Sequence, residues 1–518
     1  MSQYIYNLGL LFNEIAIKNS QKPAFKKLDG SIIPYKEIHK KSNQIARFLI
    51  TKCIVKGNVV AIFNDKSIDA YSIMIACLKL GVTYTNLDTN SPVDRINKMI
   101  DISRPATFFT NTRNFAKLIE SKYDNTCIID YSTSEFSETI ASFSVELPNE
   151  TLNVTGNLPA YLMFTSGSTG FPKGVVITHA NVLNFIGWAR STYQITEDDV
   201  FTNINPLHFD NSVFDFYSSL FTGACMIPVT EDVTKNPRKL FELLNPLNPT
   251  IWFSVPSMLV YALKLRAINE GDLSFLRIVS FGGEGFPKNQ LRNLWTLWGS
   301  RVTFLNVYGP TECTCICSSH KVTQKDIDKD ELLPLGPMAS NFGHLIIGAQ
   351  GVSVDDNEIG ELCITGPNVG LGYFNNPVKT NEVFVQNPLI LTHRDIIYKS
   401  GDLVRYDACE NLLYFCGRKD NQIKRMGYRI ELEEIENALG ALPYIEENAV
   451  VYIKTDDTNG RIIACLRSGI VDESKIISDL EKIVPSYMLP NEVKFYEHLP
   501  KNQNGKIDRL QLKNEFEG

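Results

Sequence analysis

"YLMFTSGSTGFPKGVVITHANV" spans Tyr161–Val182. The apolar run AYLMF before and within it reads as a buried strand. THANVLNFIGWAR, which overlaps its end, has helical periodicity with Thr178 as a candidate cap. Between them lies TSGSTGFPKG, Thr165–Gly174. There Gly167, Gly170 and Gly174 are interleaved with four hydroxyl residues and one lysine. A glycine-rich turn between a strand and a helix can present backbone N–H groups, hydroxyls and a point charge to an anion. The spacing is not that of a Walker A loop, because Lys173 sits between Pro172 and Gly174 rather than before Ser or Thr. No dinucleotide fingerprint is present either. Taken alone, the stretch reads as a nucleotide or phosphoryl site, with a flexible surface turn as the bland alternative.

Upstream, strand and helix signals alternate. VVAIF (Val59–Phe63) is a short β-branched run, and DAYSIMIACLKLG is helical and ends at Gly81. TYTNLD is strand-like. SPVDRINKMID starts a helix with Ser91 as cap and Pro92 in its first turn. PATFFT is the next strand. This βαβα rhythm predicts a mostly parallel sheet covered by helices. Residues 131–159 are weakly patterned and read as a connector. Downstream, SVFDFYSSLFTG places Val213, Phe216, Tyr217 and Leu220 on one helical face. RIVSFGGEG and RVTFLNVYGPTE run apolar strands into glycine-rich turns. From Leu345 the pattern becomes short and β-rich, and after GRKD (Gly417–Asp420) it becomes a small α+β pattern. A domain boundary is expected there, with residues 1–419 as one domain and 420–518 as the other.

The 518 residues are 44% hydrophobic and 21% charged, with a formal charge of −7. A chain this long exceeds a single core. Its acidity, without a long basic block, argues against nucleic acid or an anionic membrane as the main partner. The N-terminus lacks a basic stretch followed by an apolar one, and no apolar run approaches a membrane span, so a cytoplasmic protein is expected. Eleven scattered cysteines read as reduced thiols. CTCIC (Cys313–Cys317) reads as an extended segment with three buried thiols on one face rather than a metal site.

The loop resembles the phosphate-loop motif of the adenylate-forming superfamily, which includes acyl-CoA synthetases, luciferases, peptide-synthetase adenylation domains and D-alanine–carrier protein ligases. NVYGPTE (Asn306–Glu312), GELCITG (Gly360–Gly366), YKSGDLVRYD (Tyr398–Asp407), GRKDNQIKRMGYRIELEEIE (Gly417–Glu436) and NGKIDR (Asn504–Arg509) are similar to further family motifs in the expected order. Together they cover essentially the whole chain. The resemblance implies an α/β fold: a large N-terminal domain of parallel-rich sheets covered by helices, a β-rich subdomain, and a small mobile α+β C-terminal domain.

It also implies a chemistry. Family members join a carboxylate to ATP, release pyrophosphate, and pass the acyl group to a thiol. Thr165, Ser166, Gly167, Ser168, Thr169, Gly170 and Lys173 would hold phosphates. Gly283, Glu284, Asn306, Tyr308 and Gly309 would also bind ATP, with Tyr308 stacking on the adenine, and Asp402 and Arg418 would meet the ribose. Glu312 would hold Mg²⁺, beside Thr311. Lys506 would stabilise the charge that develops at the reacting carboxylate and α-phosphate. Asp420 would be the hinge, with Lys424, Gly427 and Arg429 on the segment that faces the thiol.

In amino-acid-activating members an aspartate pairs with the substrate ammonium, and Asp210 stands at that place. Capping the next helix is its alternative role. Asn211, Phe214, Ser254 and Ser280 would line the side-chain pocket, along with Gly282, Val307, Cys315 and Ile316. Gly282 stands where D-alanine ligases usually carry cysteine. The chain runs nine residues past Arg509 without a carrier motif. The expected thiol is therefore a phosphopantetheinyl carrier protein acting in trans, with CoA second. A monomer or weak dimer is expected. Alternatives are an acyl- or aryl-CoA ligase, or an inactive homologue used as a binding module.

Overall fold

The computed structural model describes residues 4–63, 66–120, 127–167, 170–454, 460–469, 472–501 and 507–517. Among these, two large sheets carry the N-terminal part. In the first, Val59–Phe63 is flanked by Thr83–Leu87 and Thr107–Thr110, all parallel, and Pro159–Thr165 continues parallel beside Thr83–Leu87. The second is built on parallel strands Cys225–Pro228, Val200–Asn203, Ile251–Ser254, Ile278–Gly282 and Thr303–Tyr308. Parallel strands need crossovers, and the intervening helices supply them. The largest apolar cluster joins side chains of both sheets to helices Leu8–Lys18, Tyr35–Thr51, Ile68–Leu80, His179–Thr192 and Asn211–Leu220.

Residues 343–418 form an antiparallel sheet in which Ile396–Asp407 pairs with Ile359–Thr365 and Leu412–Arg418. Beyond it, Gln422–Arg425 and Tyr428–Glu431 make a hairpin. A three-stranded sheet follows, with its own core on both faces. Val450, Ile462 and Ala464 point to one side, and Ala449, Val451 and Ile463 to the other. The alternation is that of a strand covered twice. No described helix is long and apolar enough to cross a membrane.

The alternating pattern upstream of the loop forms as read, and Gly81 closes its helix in the left-handed region (φ 65°). Four local expectations need correction. The loop does not lead into a helix: Lys173–Thr178 is a strand, antiparallel to Pro159–Thr165, and the helix begins at His179. The β-branched run VVIT favours extension, and Thr178 caps the helix that follows, as read, through a capping box with Asn181. The loop is thus the tip of a hairpin and gains nothing from a helix dipole. Ser91 is not a cap either, because its hydroxyl donates to Asp88, and Pro92 takes the cap position. The weakly patterned connector contains a helix, Ser134–Ala141, capped by Thr133. Finally, CTCIC is not extended. Thr314 and Cys315 turn through positive φ (61° and 78°), although all three thiols are buried and free.

Candidate active site

Ligands of open α/β sheets gather beyond the carboxyl ends of the strands. Here the turns after Val200–Asn203, Ile278–Gly282 and Thr303–Tyr308 bring Asp210, Gly283 and Gly309–Thr311 to one cavity of about 100 Å³. The hairpin tip contributes Thr165 and Ser166, and the antiparallel sheet contributes Asp402 and Arg418. The C-terminal hairpin adds Lys424, Gly427 and Arg429. Two glycines allow the close packing behind this wall. A Cβ on Gly309 would stand 2.1 Å from the Cys315 carbonyl oxygen, and one on Gly282 would stand 2.3 Å from that of Val307.

Asp210 occupies the cap position of helix Asn211–Leu220 but makes no capping bond. Its Oδ2 instead accepts from the Thr311 hydroxyl at 2.6 Å. Desolvation pushes its carboxyl up, against that hydrogen bond. Asp402 is buried; it accepts from the Tyr308 hydroxyl at 2.6 Å and from Arg418 Nη1 at 2.7 Å. Arg418 also grips Asp420 with both Nε and Nη2 at 2.6 Å, so the expected hinge residue is tied to the expected ribose site. Lys424 Nζ lies 5.6 Å from the centre of the Tyr308 ring. Burial lowers this lysine, and Asp402 works against that.

Glu312 is fully buried. Its Oε2 pairs with Arg429 Nη1 at 2.8 Å, and its Oε1 accepts from the Tyr373 hydroxyl at 2.8 Å. Burial would raise the carboxyl, but Arg429 and Lys173 outweigh it and hold it at about 2. The hairpin tip is engaged in the same way. The Ser166 hydroxyl donates to the Arg429 carbonyl at 2.8 Å, and the Gly167 N–H donates to Glu434 at 3.1 Å. Lys173 Nζ lies 3.3 Å from Glu431. Glu434 is also paired with Arg95. The Thr165 hydroxyl is buried with no partner among the described residues. Gly170 (φ 78°) turns the tip, and its carbonyl accepts from Lys98.

Several expected residues lie elsewhere. Phe214, Ser254 and Ser280 do not line the cavity. Phe214 is buried behind Phe253, with ring centres 5.2 Å apart, and Phe253 takes its place on the wall. The Ser254 hydroxyl accepts from the Trp252 indole, and Ser280 bonds the Tyr193 hydroxyl. Asn306 donates to the Pro334 carbonyl, away from the cavity. Glu284 also stays off the wall. It accepts from the N–H groups of Ser257 and Gly427, clamping the C-terminal turn. Asn211, Gly282, Val307, Cys315 and Ile316 line the cavity as expected. Ser168, Thr169 and Lys506 lie outside the described residues. Neither Lys501 nor Ile507, the nearest described neighbours of Lys506, lines the cavity.

Sequence reading assigned no role to Phe253, Tyr373, Arg95, Glu431 or Glu434. Both glutamates stand in the quoted YRIELEEIE stretch, where their acidity beside a helix start reads as ordinary helix chemistry.

Residues 12–374 match the family model described as AMP-binding enzyme, and residues 434–506 match that of the AMP-binding enzyme C-terminal domain. A D-alanine–D-alanyl carrier protein ligase of Bacillus cytotoxicus is 31% identical over 96% of this chain and 97% of its own. An L-proline–[L-prolyl-carrier protein] ligase of Pseudomonas fluorescens is 32% identical over 94% of this chain and 95% of its own. In fold, the chain is similar to the Vibrio cholerae adenylation domain AlmE, solved with glycyl-adenosine-5'-phosphate. That match has a TM-score of 0.82 at 23% identity and covers 100% of this chain and 99% of that one. With both family models matched in order along its length, the chain belongs to the AMP-binding enzyme family.

Proposed function

We propose that the protein activates an amino acid with ATP, releasing pyrophosphate, and transfers the aminoacyl group to the phosphopantetheine thiol of a separate carrier protein. The observation that carries the amino-acid reading is Asp210. It is a carboxylate on the cavity wall whose single protein donor is the Thr311 hydroxyl among the described residues. A desolvated carboxylate is costly without a partner, and a substrate ammonium is one. The relatives named above act on D-alanine and L-proline with carrier proteins, in line with this reading. Phe253, Val307, Cys315 and Ile316 bound the cavity near Asp210 with apolar surface, which suits a small, weakly polar side chain.

In this reading Ser166, the Gly167 N–H, Lys173 and the unpartnered Thr165 hydroxyl hold the β- and γ-phosphates. Asp402 accepts the ribose hydroxyls. Lys506 supplies positive charge where the carboxylate attacks the α-phosphorus. Glu312 fits a magnesium ion: it stays ionised while buried, and it already balances a cation, Arg429. When bound, that ion would neutralise charge on the phosphates. Asp420 is the hinge between residues 1–419 and 420–518, and Gly427 and Arg429 face the thiol. The test is ATP–pyrophosphate exchange with a panel of amino acids and the matching acids that lack the amino group. Exchange that requires the amino group supports the reading. Exchange driven by the amino-free acids alone favours an acyl- or aryl-CoA ligase.

A further inference from the structure

Three groups of the hairpin tip, and Glu312, are engaged by this chain's own residues. Of the groups assigned above to phosphate, three face an oxygen of the segment 429–434, and the Thr165 hydroxyl has no partner among the described residues. The Ser166 hydroxyl meets a carbonyl, the Gly167 N–H meets the Glu434 carboxylate, and Lys173 meets the Glu431 carboxylate. The one group assigned to a cation, Glu312, meets the Arg429 guanidinium at 2.8 Å. The segment thus presents oxygens to the donors and a positive charge to the acceptor. Counting Glu431, Glu434 and Arg429, it is net negative, as magnesium pyrophosphate is.

We propose that residues 429–434 are an internal stand-in for magnesium pyrophosphate, so that the product and the docked C-terminal segment compete for the same groups. The proposal rests on the phosphate reading of the hairpin tip. Generic surface pairing does not explain the pattern, because these contacts are buried. Glu312 is fully buried, Glu434 is 3% exposed and Glu431 5%. Buried ionised groups need partners, so the segment cannot hold its place once pyrophosphate takes Lys173, Ser166 and Gly167. Docking in turn removes the sites that hold the product. Because coupling is reciprocal, pyrophosphate must weaken docking by the same factor by which docking weakens pyrophosphate binding.

The Gly427 amide reports docking, since it donates to Glu284 across the two parts of the chain. Hydrogen exchange at this amide is followed in the full-length protein while magnesium pyrophosphate is titrated, with calorimetry on the same samples. Magnesium sulfate at matched ionic strength is the control. The expected result is loss of Gly427 protection with the same midpoint as pyrophosphate binding, and no loss with sulfate. Glu431→Gln removes one competing carboxylate and should tighten pyrophosphate binding at least threefold. Pyrophosphate that saturates while Gly427 stays protected, or an unchanged affinity in Glu431→Gln, overturns the competition and leaves the phosphate reading standing. Failure of pyrophosphate to bind at all overturns both.

Discussion

Replacing Gly427 with alanine should separate the two half-reactions. The residue has φ +81°, and a Cβ there would stand 2.6 Å from Val255 Cγ1 and 3.1 Å from Cγ2. A left-handed L-residue costs about 1–2 kcal/mol. An extra methyl forced into a packed contact costs about 1–3 kcal/mol. Together these destabilise the docked arrangement by about 2–5 kcal/mol, which lowers its equilibrium constant by roughly 30-fold to a few thousandfold. Nothing in the hairpin tip or around Asp210 changes, and weaker docking frees the groups that hold pyrophosphate, so exchange should not fall and should saturate at lower pyrophosphate than in the parent protein. Transfer of the aminoacyl group to a carrier protein, followed by mass spectrometry of the loaded carrier, should fall by the larger factor. Adding Val255→Ala removes the methyls that clash and should restore part of the loss, leaving the backbone cost. Equal losses in both half-reactions would refute the reasoning, as would transfer that survives Gly427→Ala unchanged.

Lys173→Ala should raise the KM for ATP while leaving measurable exchange, whereas Lys506→Ala should abolish exchange; total loss in both would show that the labour is divided wrongly. Asp210→Asn should cost about 3–5 kcal/mol of amino-acid recognition, a fall of at least about 100-fold in kcat/KM for exchange. Because burial pushes the Asp210 carboxyl up, the parent enzyme's KM for the amino acid should also rise as pH falls into that raised range; a flat KM would contradict this. Lys79 is fully buried, donates to Ser42 and Asn43, and is lowered by desolvation well below its usual value. Between that lowered value and about 10.5 the unfolded chain binds the extra proton, so stability rises with pH by up to about 1.4 kcal/mol per unit. Lys79→Met should flatten that slope in denaturant unfolding followed at several pH values, and an unchanged slope would refute it.

The parallel sheets were legible because their signal is local: VVAIF, TYTNLD and PATFFT carry β-branched and aromatic runs between periodic helices. The hairpin tip was misread for a related reason. Whether GVVIT stays part of the turn or extends into a strand depends on pairing with Pro159–Thr165, a contact that one stretch does not contain. The side-chain pocket was partly legible for the same cause. The family resemblance put Ser254 on the wall, but the Trp252 indole holds its hydroxyl and the neighbouring Phe253 faces the cavity instead. Asp210 was readable as a choice between cap and ligand; in the structure it stands at the cap position and makes no capping bond. The roles of Glu431 and Glu434 were hidden because their partners lie more than 250 residues away in sequence.

The central claim is that this cavity activates an amino acid through its carboxylate. The most direct measurement is mass-spectrometric detection of the acyl-adenylate formed from ATP with each member of a panel of amino acids, D-alanine and L-proline among them, beside their amino-free counterparts. The account predicts an adenylate from one or a few small amino acids, none from the counterparts, and its loss in Asp210→Asn. An adenylate formed equally well from an amino-free acid, and retained in Asp210→Asn, would contradict it.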